Sequence, residues 1–327
     1  MNRKRPKKRR PMKNRDLAEL HQEFVNERRY STRRSPATIR GYVATFELFQ
    51  KLMPGVDLNT LTIKTLNEFF KRLEQRDRVV GKGEIRNGVR ISTIGTYRSK
   101  LNSFFDWLVQ NKYLADNPFK HMHYPRIIYS DRKFLNKQQL ERIWLAVSLN
   151  IDWHSPFIQK RSMALIGTLL NTGVRRGELI QLKVLDLDLE KRELHVRGET
   201  SKSRRDRFIP INSAAYKLLV DYLKARKEKD YKNPYLFVSN SRDQRLSFDG
   251  FKHFVNKVIE GSGVKFHVHQ YRHTFSVNFL ANGGSLAALK QLLGHTDLRM
   301  TEVYLRCLPT HTLRPDVESL ANMENLI

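Results

Sequence analysis

Glu193-Leu194-His195-Val196-Arg197, then Gly198-Glu199-Thr200-Ser201-Lys202-Ser203-Arg204-Arg205-Asp206, then Arg207-Phe208-Ile209-Pro210-Ile211: here the chain leaves the helical period that governs most of its length. The two flanks fit the period of two of half-buried strands, and the stretch between them is polar. The spacing predicts two short antiparallel strands, Glu193–Arg197 and Arg207–Ile211, joined by a polar loop over 198–206. Around this stretch the elements are helical, with no strand-helix-strand alternation that would build a doubly wound sheet. The expected fold is mainly α, with a C-terminal mixed α/β part that carries one small antiparallel sheet.

Working outward, an amphipathic helix begins at Asn136, and an apolar helix over about 157–170 breaks at Gly173. Upstream lies a separate helical bundle. Leu17, Leu20, Phe24 and Val25 share one helix face; Ser35-Pro36 supplies an N-cap and a first-turn proline for a second helix with Ile39, Tyr42, Val43, Phe46 and Phe49. A third helix is expected over 62–75 and a fourth over 92–111, the latter rich in aromatic residues, before Asn117-Pro118. Residues 122–133 have no helical period, contain Pro125 and read as a linker. The expected division is therefore a basic tail over 1–15, a helical domain over 16–121, the linker, and a second domain over 134–327 with a C-terminal tail. The Gly81-Lys82-Gly83 loop lacks the Gly-Lys-Ser/Thr ending of a phosphate-binding loop and reads as a solvated or DNA-facing turn.

Charge narrows the function. The chain of 327 residues has a formal net charge of +27, far beyond what solubility needs, so a polyanionic partner is expected. There is no run of about 18 apolar residues to span a bilayer and no apolar segment after the basic N-terminus, which leaves nucleic acid and a cytoplasmic, nucleoid-associated location as the expectation. The single cysteine, Cys307, excludes an internal disulfide and a cysteine-rich metal cluster. Residues 1–130 hold 28 Lys/Arg against 12 Asp/Glu, and the remainder 32 against 21, so both halves are expected to touch the polyanion. The run from Met1 to Arg15 has nine basic residues and no acid, and reads as a disordered tail.

Four separated motifs carry the chemistry. They are Thr172-Gly173-Val174-Arg175-Arg176-Gly177-Glu178-Leu179, the polar 198–206 loop, His269-Gln270-Tyr271-Arg272, and Leu293-Gly294-His295 followed by Tyr304. Cleaving a phosphodiester without a metal requires fixed cations on the non-bridging oxygens, and a guanidinium suits this because it is planar, permanently charged and bidentate. Arg175 and Arg272 fit that need, with Glu178 one turn on to orient Arg175. In isolation the plainer readings win: a surface charge for each arginine, a buried or capping histidine for His273 and His267, and a core aromatic on the helix after His295 for Tyr304. His269 and Arg272, three apart, share a helix face.

In their order and spacing the motifs resemble those of the tyrosine recombinases, the phage-integrase family, across residues 172–304, with a simple recombinase of Xer type or of a small mobile element as the nearer likeness. The resemblance implies that Arg175, His269, Arg272 and His295 bind and activate the scissile phosphate, that Tyr304 is the nucleophile, and that Lys202 is the general acid for the departing 5′ oxygen. Arg204 and Arg205 crowd the same loop, and Tyr271 stands where leucine is usual. It further implies an N-terminal core-binding (SAM-like) bundle clamping double-stranded DNA, a tetramer on two sites, a 3′-phosphotyrosine and a Holliday junction, with no metal, ATP or other cofactor. Leu313, Val317, Leu320 and Met323 in the tail suit docking on a neighbour or on their own domain. A topoisomerase of type IB and a catalytically silent DNA-binding regulator are the rival classes; the paired motif histidines disfavour the first, and intact Arg175, Arg272 and Tyr304 the second.

Overall fold

The structure is a computed structural model in which residues 15–81, 83–123, 134–240 and 242–310 are described. The chain divides into two compact units, Met1–Tyr129 and Ser130–Ile327. The basic run before Arg15, Lys82, the linker from Tyr124 onward and the apolar tail positions after His311 fall outside the described residues.

The first unit is built on four helices: α1 (Leu17–Tyr30), α2 (Pro36–Leu52), α3 (Ile63–Gln75) and α4 (Ile91–Gln110). Local chemistry starts each of the first three. The Asp16, Ser35 and Thr62 side chains accept from the backbone N–H groups of Ala18, Thr38 and Thr65, and Pro36 has no first-turn donor to lose. The helices close over Phe24, Phe46, Phe49, Phe69, Phe104, Phe105 and Trp107, all buried. Each such side chain contributes about 1.5–3 kcal/mol by leaving water. His21 belongs to this core, stacked 3.9 Å from Phe46, and burial pushes its imidazole down to about 4. A hairpin that the sequence reading did not contain joins α3 to α4: β1 (Asp77–Val80) pairs antiparallel with β2 (Glu84–Asn87). Val79 and Ile85 are a cross-strand pair on it, 73% and 69% exposed.

The second unit begins with α5 (Lys137–Leu145), held by a reciprocal capping box between Asn136 and Gln139, and continues through a single π turn at Ala146–Asn150. Helix α6 (Pro156–Thr172) is the central strut, with Ala164, Leu165, Ile166 and Leu169 all buried. It ends where Gly173 takes φ 61°, a left-handed turn that a Cβ would also bring to 2.5 Å from the Phe275 ring. Next come α7 (Arg176–Gln181) and a sheet of three strands rather than two, in the order β3 (Leu187–Asp188), β4 (Glu193–Val196), β5 (Arg207–Pro210). The register pairs Val196 with Arg207 and Leu194 with Ile209. The pleat then sends Leu194, Val196, Arg207 and Ile209 to the covered face and Phe208 outward, stacked on His195 at 4.6 Å. Helices α8 (Ser213–Glu228), α9 (Phe248–Ser262), α10 (His269–Ala281), α11 (Leu286–Leu293) and the one-turn α12 (Arg299–Glu302) complete the unit.

Two expectations need correction. The sheet has the extra strand β3, too short for a period to show. Tyr304 does not lie on a helix with Val303 and Leu305; it follows the end of α12 and leads into a 3-10 turn at Leu305–Cys307.

Candidate active site

Arg175 stands at the N-cap of α7, immediately after the Gly173 turn. Glu178 is 2% exposed and receives the Arg175 backbone N–H at 2.8 Å and its guanidinium at 2.9 Å, the orienting contact expected from the sequence. The same carboxylate accepts two bonds from Arg207, at 2.7 and 3.2 Å, and one from the Ser201 hydroxyl at 3.1 Å. Burial alone would raise this carboxyl. The bonds and charge of Arg207, joined by those of Arg175, override burial and hold it at about 2.

Arg272, on the first turn of α10, is 2% exposed and donates to the carbonyls of Gly173 at 2.8 Å and Leu293 at 2.7 Å. It therefore ties the end of α6 to the end of α11. Its third contact is the His295 Nε2, at 3.0 Å. A guanidinium nitrogen can only donate, so Nε2 accepts and the ring proton sits on Nδ1, which faces the Thr301 hydroxyl at 2.9 Å. Burial, helped by the charge of Arg175, lowers Arg272 to about 9, which still leaves it cationic at neutral pH.

Arg175, Lys202, His269, Arg272 and His295 line one cleft of about 300 Å³, together with Ser203, Gly294, Thr296 and Met300. Four motifs far apart in sequence thus converge on a space suited to a phosphate group. A larger cleft, about 640 Å³, shares Arg175 and His269 but takes its remaining walls largely from Phe251, Val255, Ile259 and Phe266. The smaller one holds the clustered donors and is the better candidate for chemistry. Lys202 is exposed on its loop, and neither Arg204 nor Arg205 lines the cleft.

Tyr304 is the sixth predicted residue and is placed differently. It is fully buried among Val277, Leu280, Leu289 and Leu293, and does not line the cleft. Its hydroxyl lies 3.1 Å from the Nδ1 of His273, whose ring meets that of His269 edge-on at 4.5 Å. His273 is thus half-buried, as a structural histidine would be, yet it is bonded to the predicted nucleophile. His267 is exposed, and its backbone N–H donates to the Gln270 side chain just before α10. The contribution of Arg207 was missed altogether, although the strand period puts it on the face of Ile209 and Ile211. Among the described residues no group of three His, Cys, Asp or Glu side chains forms a metal-binding cluster, and no helix is long and apolar enough to cross a membrane.

Comparison with known proteins identifies the family. Residues 133–311 match the model of the phage integrase family. The chain is 28% identical over 297 residues to the tyrosine recombinase XerC of Oceanobacillus iheyensis, covering 88% of this chain and 91% of the relative. It is 32% identical over 221 residues to the XerC of Halalkalibacterium halodurans, covering 65% and 70%. Among solved structures, the Tn1549 transposon integrase in complex with transposon right end DNA has a TM-score of 0.70 at 20% identity, covering 94% of this chain and 100% of that one. XerH recombinase bound to its difH substrate has a TM-score of 0.64 at 21% identity, covering 86% and 78%. With the family's domain spanning the cleft and its motif order kept from Arg175 to Tyr304, the chain belongs to the phage integrase family and is a tyrosine-type site-specific recombinase.

Proposed function

We propose that this recombinase cleaves and rejoins duplex DNA through a 3′-phosphotyrosine at Tyr304, with the cleft around Arg175 and Arg272 as its phosphate site. The observation that carries the reading is the convergence of these two arginines with Lys202, His269 and His295 on one cleft, next to a buried tyrosine. The Tyr304 oxygen bonds to phosphorus as its proton leaves, with His269 assisting. Arg175 and Arg272 take up the charge growing on the non-bridging oxygens, and His295 joins them once its Nε2 carries a proton. The bond from phosphorus to the 5′ oxygen breaks, and Lys202 protonates that oxygen. The energy of the broken bond is kept in the phosphotyrosine, so a second 5′ hydroxyl reverses the step without ATP or metal. Tyr304 is bonded to His273 and does not line the cleft, so its phenol reaches the phosphate from beside the arginines. Exchange between two duplexes calls for four protomers and a Holliday junction. The first unit serves as the core-binding half of a DNA clamp, and the reaction takes place in the cytoplasm, where the DNA lies.

The test is covalent trapping on a suicide duplex. Wild type should give a denaturant-stable protein-DNA adduct that forms equally well in excess EDTA. Tyr304→Phe should bind the same DNA and give none; an adduct from that variant would overturn the assignment of the nucleophile.

A further inference from the structure

Arg207 belongs to none of the four motifs, yet it touches the structural supports of three. It is 6% exposed, turned inward by the pleat of β5. Its guanidinium spans both oxygens of Glu178 at 2.7 and 3.2 Å, and Glu178 in turn holds the backbone and side chain of Arg175. One of its nitrogens lies 3.5 Å from the Ser201 hydroxyl, which donates to Glu178 and precedes Lys202. Its Nε donates to the Leu292 carbonyl at 2.8 Å, next to the Leu293 carbonyl that receives Arg272. A Cβ on Gly294 would meet Arg207 at 3.1 Å, so this side chain also underlies the turn that presents His295.

We propose that Arg207 is a positioning residue for strand cleavage, which sets Lys202 and Arg175 in register with each other through Ser201 and Glu178. The proposal rests on the recombinase reading above. Lys202 itself is exposed on the loop of ten residues between β4 and β5, so its aim depends on what anchors that loop. The loop ends are tied by Gly198 N–H to Asp206 at 2.8 Å, which closes the loop but does not turn it towards the cleft. The tie on the cleft side is Ser201 on the Glu178–Arg207 pair. A lysine at 207 could neutralise Glu178, but a single ammonium cannot span both carboxylate oxygens and the Leu292 carbonyl as a planar fork does. A misplacement of about 1 Å in such a site costs on the order of a hundredfold in rate.

The experiment compares single-turnover cleavage by the full chain on two suicide duplexes, one ordinary and one with a 5′-bridging phosphorothioate, whose sulfur leaves without needing a proton. Arg207→Lys should retain DNA affinity and cleave the ordinary duplex on the order of a hundredfold more slowly. On the sulfur substrate at least tenfold of that loss should disappear, leaving the part due to Arg175. Ser201→Ala, a small change that removes only the loop-side tie, should be slowed about tenfold on the ordinary duplex and not at all on the sulfur one. Cleavage by Ser201→Ala within threefold of wild type on the ordinary duplex, or an equal loss on both substrates for either variant, would overturn the proposal. Failure of the recombinase reading looks different: wild type would then give no adduct, or Tyr304→Phe would still give one.

Discussion

The two units solve opposite problems with their interiors. The first buries aromatic rings around His21 and, among its described residues, has no buried Lys, Arg, Asp or Glu side chain. The second buries Arg161, Glu178, Asp186, Arg207, Arg226 and Arg272, each less than 9% exposed. Moving ions out of water costs several kcal/mol apiece unless they are paired and hydrogen-bonded. That cost is offset here by partners: Glu178 is bonded to Arg207 and Arg175, Asp186 to Arg197, and Arg161, Arg226 and Arg272 donate to backbone carbonyls. Packing stabilises the first unit, whereas in the second a part of the stability depends on how well the buried charges are paired.

The comparison can be tested by breaking each interior. Glu178→Gln leaves Arg207 and Arg175 without their counter-charge and should cost about 3–5 kcal/mol in denaturant unfolding. Phe104→Ala in the first unit should cost a similar 3–5 kcal/mol. The difference should appear in catalysis: at temperatures where both variants are folded, Glu178→Gln should cut DNA far more slowly and Phe104→Ala, once bound, at close to the normal rate. Equal catalytic losses would mean that the buried charge is only structural. Arg272→Ala removes one fixed donor and should lower single-turnover cleavage by about 3 kcal/mol, roughly a hundredfold, with DNA still bound.

Acid should separate the units as well. His21 has its folded value lowered to about 4 from 6.5, so the unfolded chain binds the proton first. Its contribution, on the order of 3 kcal/mol, is complete above about pH 6.5 and is lost as pH falls towards 4. Glu178 is lowered to about 2 from 4.5, so its contribution is complete above about pH 4.5 and is lost only as pH falls towards 2. Thermal unfolding followed from pH 7 to 3 should show the first unit weakening at the higher pH, and His21→Phe should remove that step. The smallest effect is expected at the β1–β2 tip, where Val79→Thr or Ile85→Thr should change stability by less than about 0.5 kcal/mol, since both side chains are already in water.

Much of this was legible beforehand. Helix starts were readable because caps act locally: Ser35 with Pro36, and Asn136, form the contacts that their positions promise. The short β1–β2 hairpin was not, because four-residue strands around Gly81 and Gly83 show too little period to stand out from a solvated turn. The bond between His273 and Tyr304 joins residues 31 apart, and no spacing rule foretells it. Arg207 shows the boundary well. In a chain with 60 Lys/Arg it passes for one more surface charge beside Arg204 and Arg205.

The sequence by itself determined the mainly helical architecture, the small sheet, the basic character of both halves and the order of the motifs from which the six candidate residues were drawn, since periodicity, caps and motif spacing are read along the chain. Only the tertiary structure decided that Arg207 reaches Glu178, that Glu178 is shared between two arginines, and that Tyr304 is bonded to His273 and does not line the cleft. Those outcomes depend on contacts between residues 29 and 31 apart in the chain, where the cost of burying a charge is weighed against partners that folding alone brings within reach.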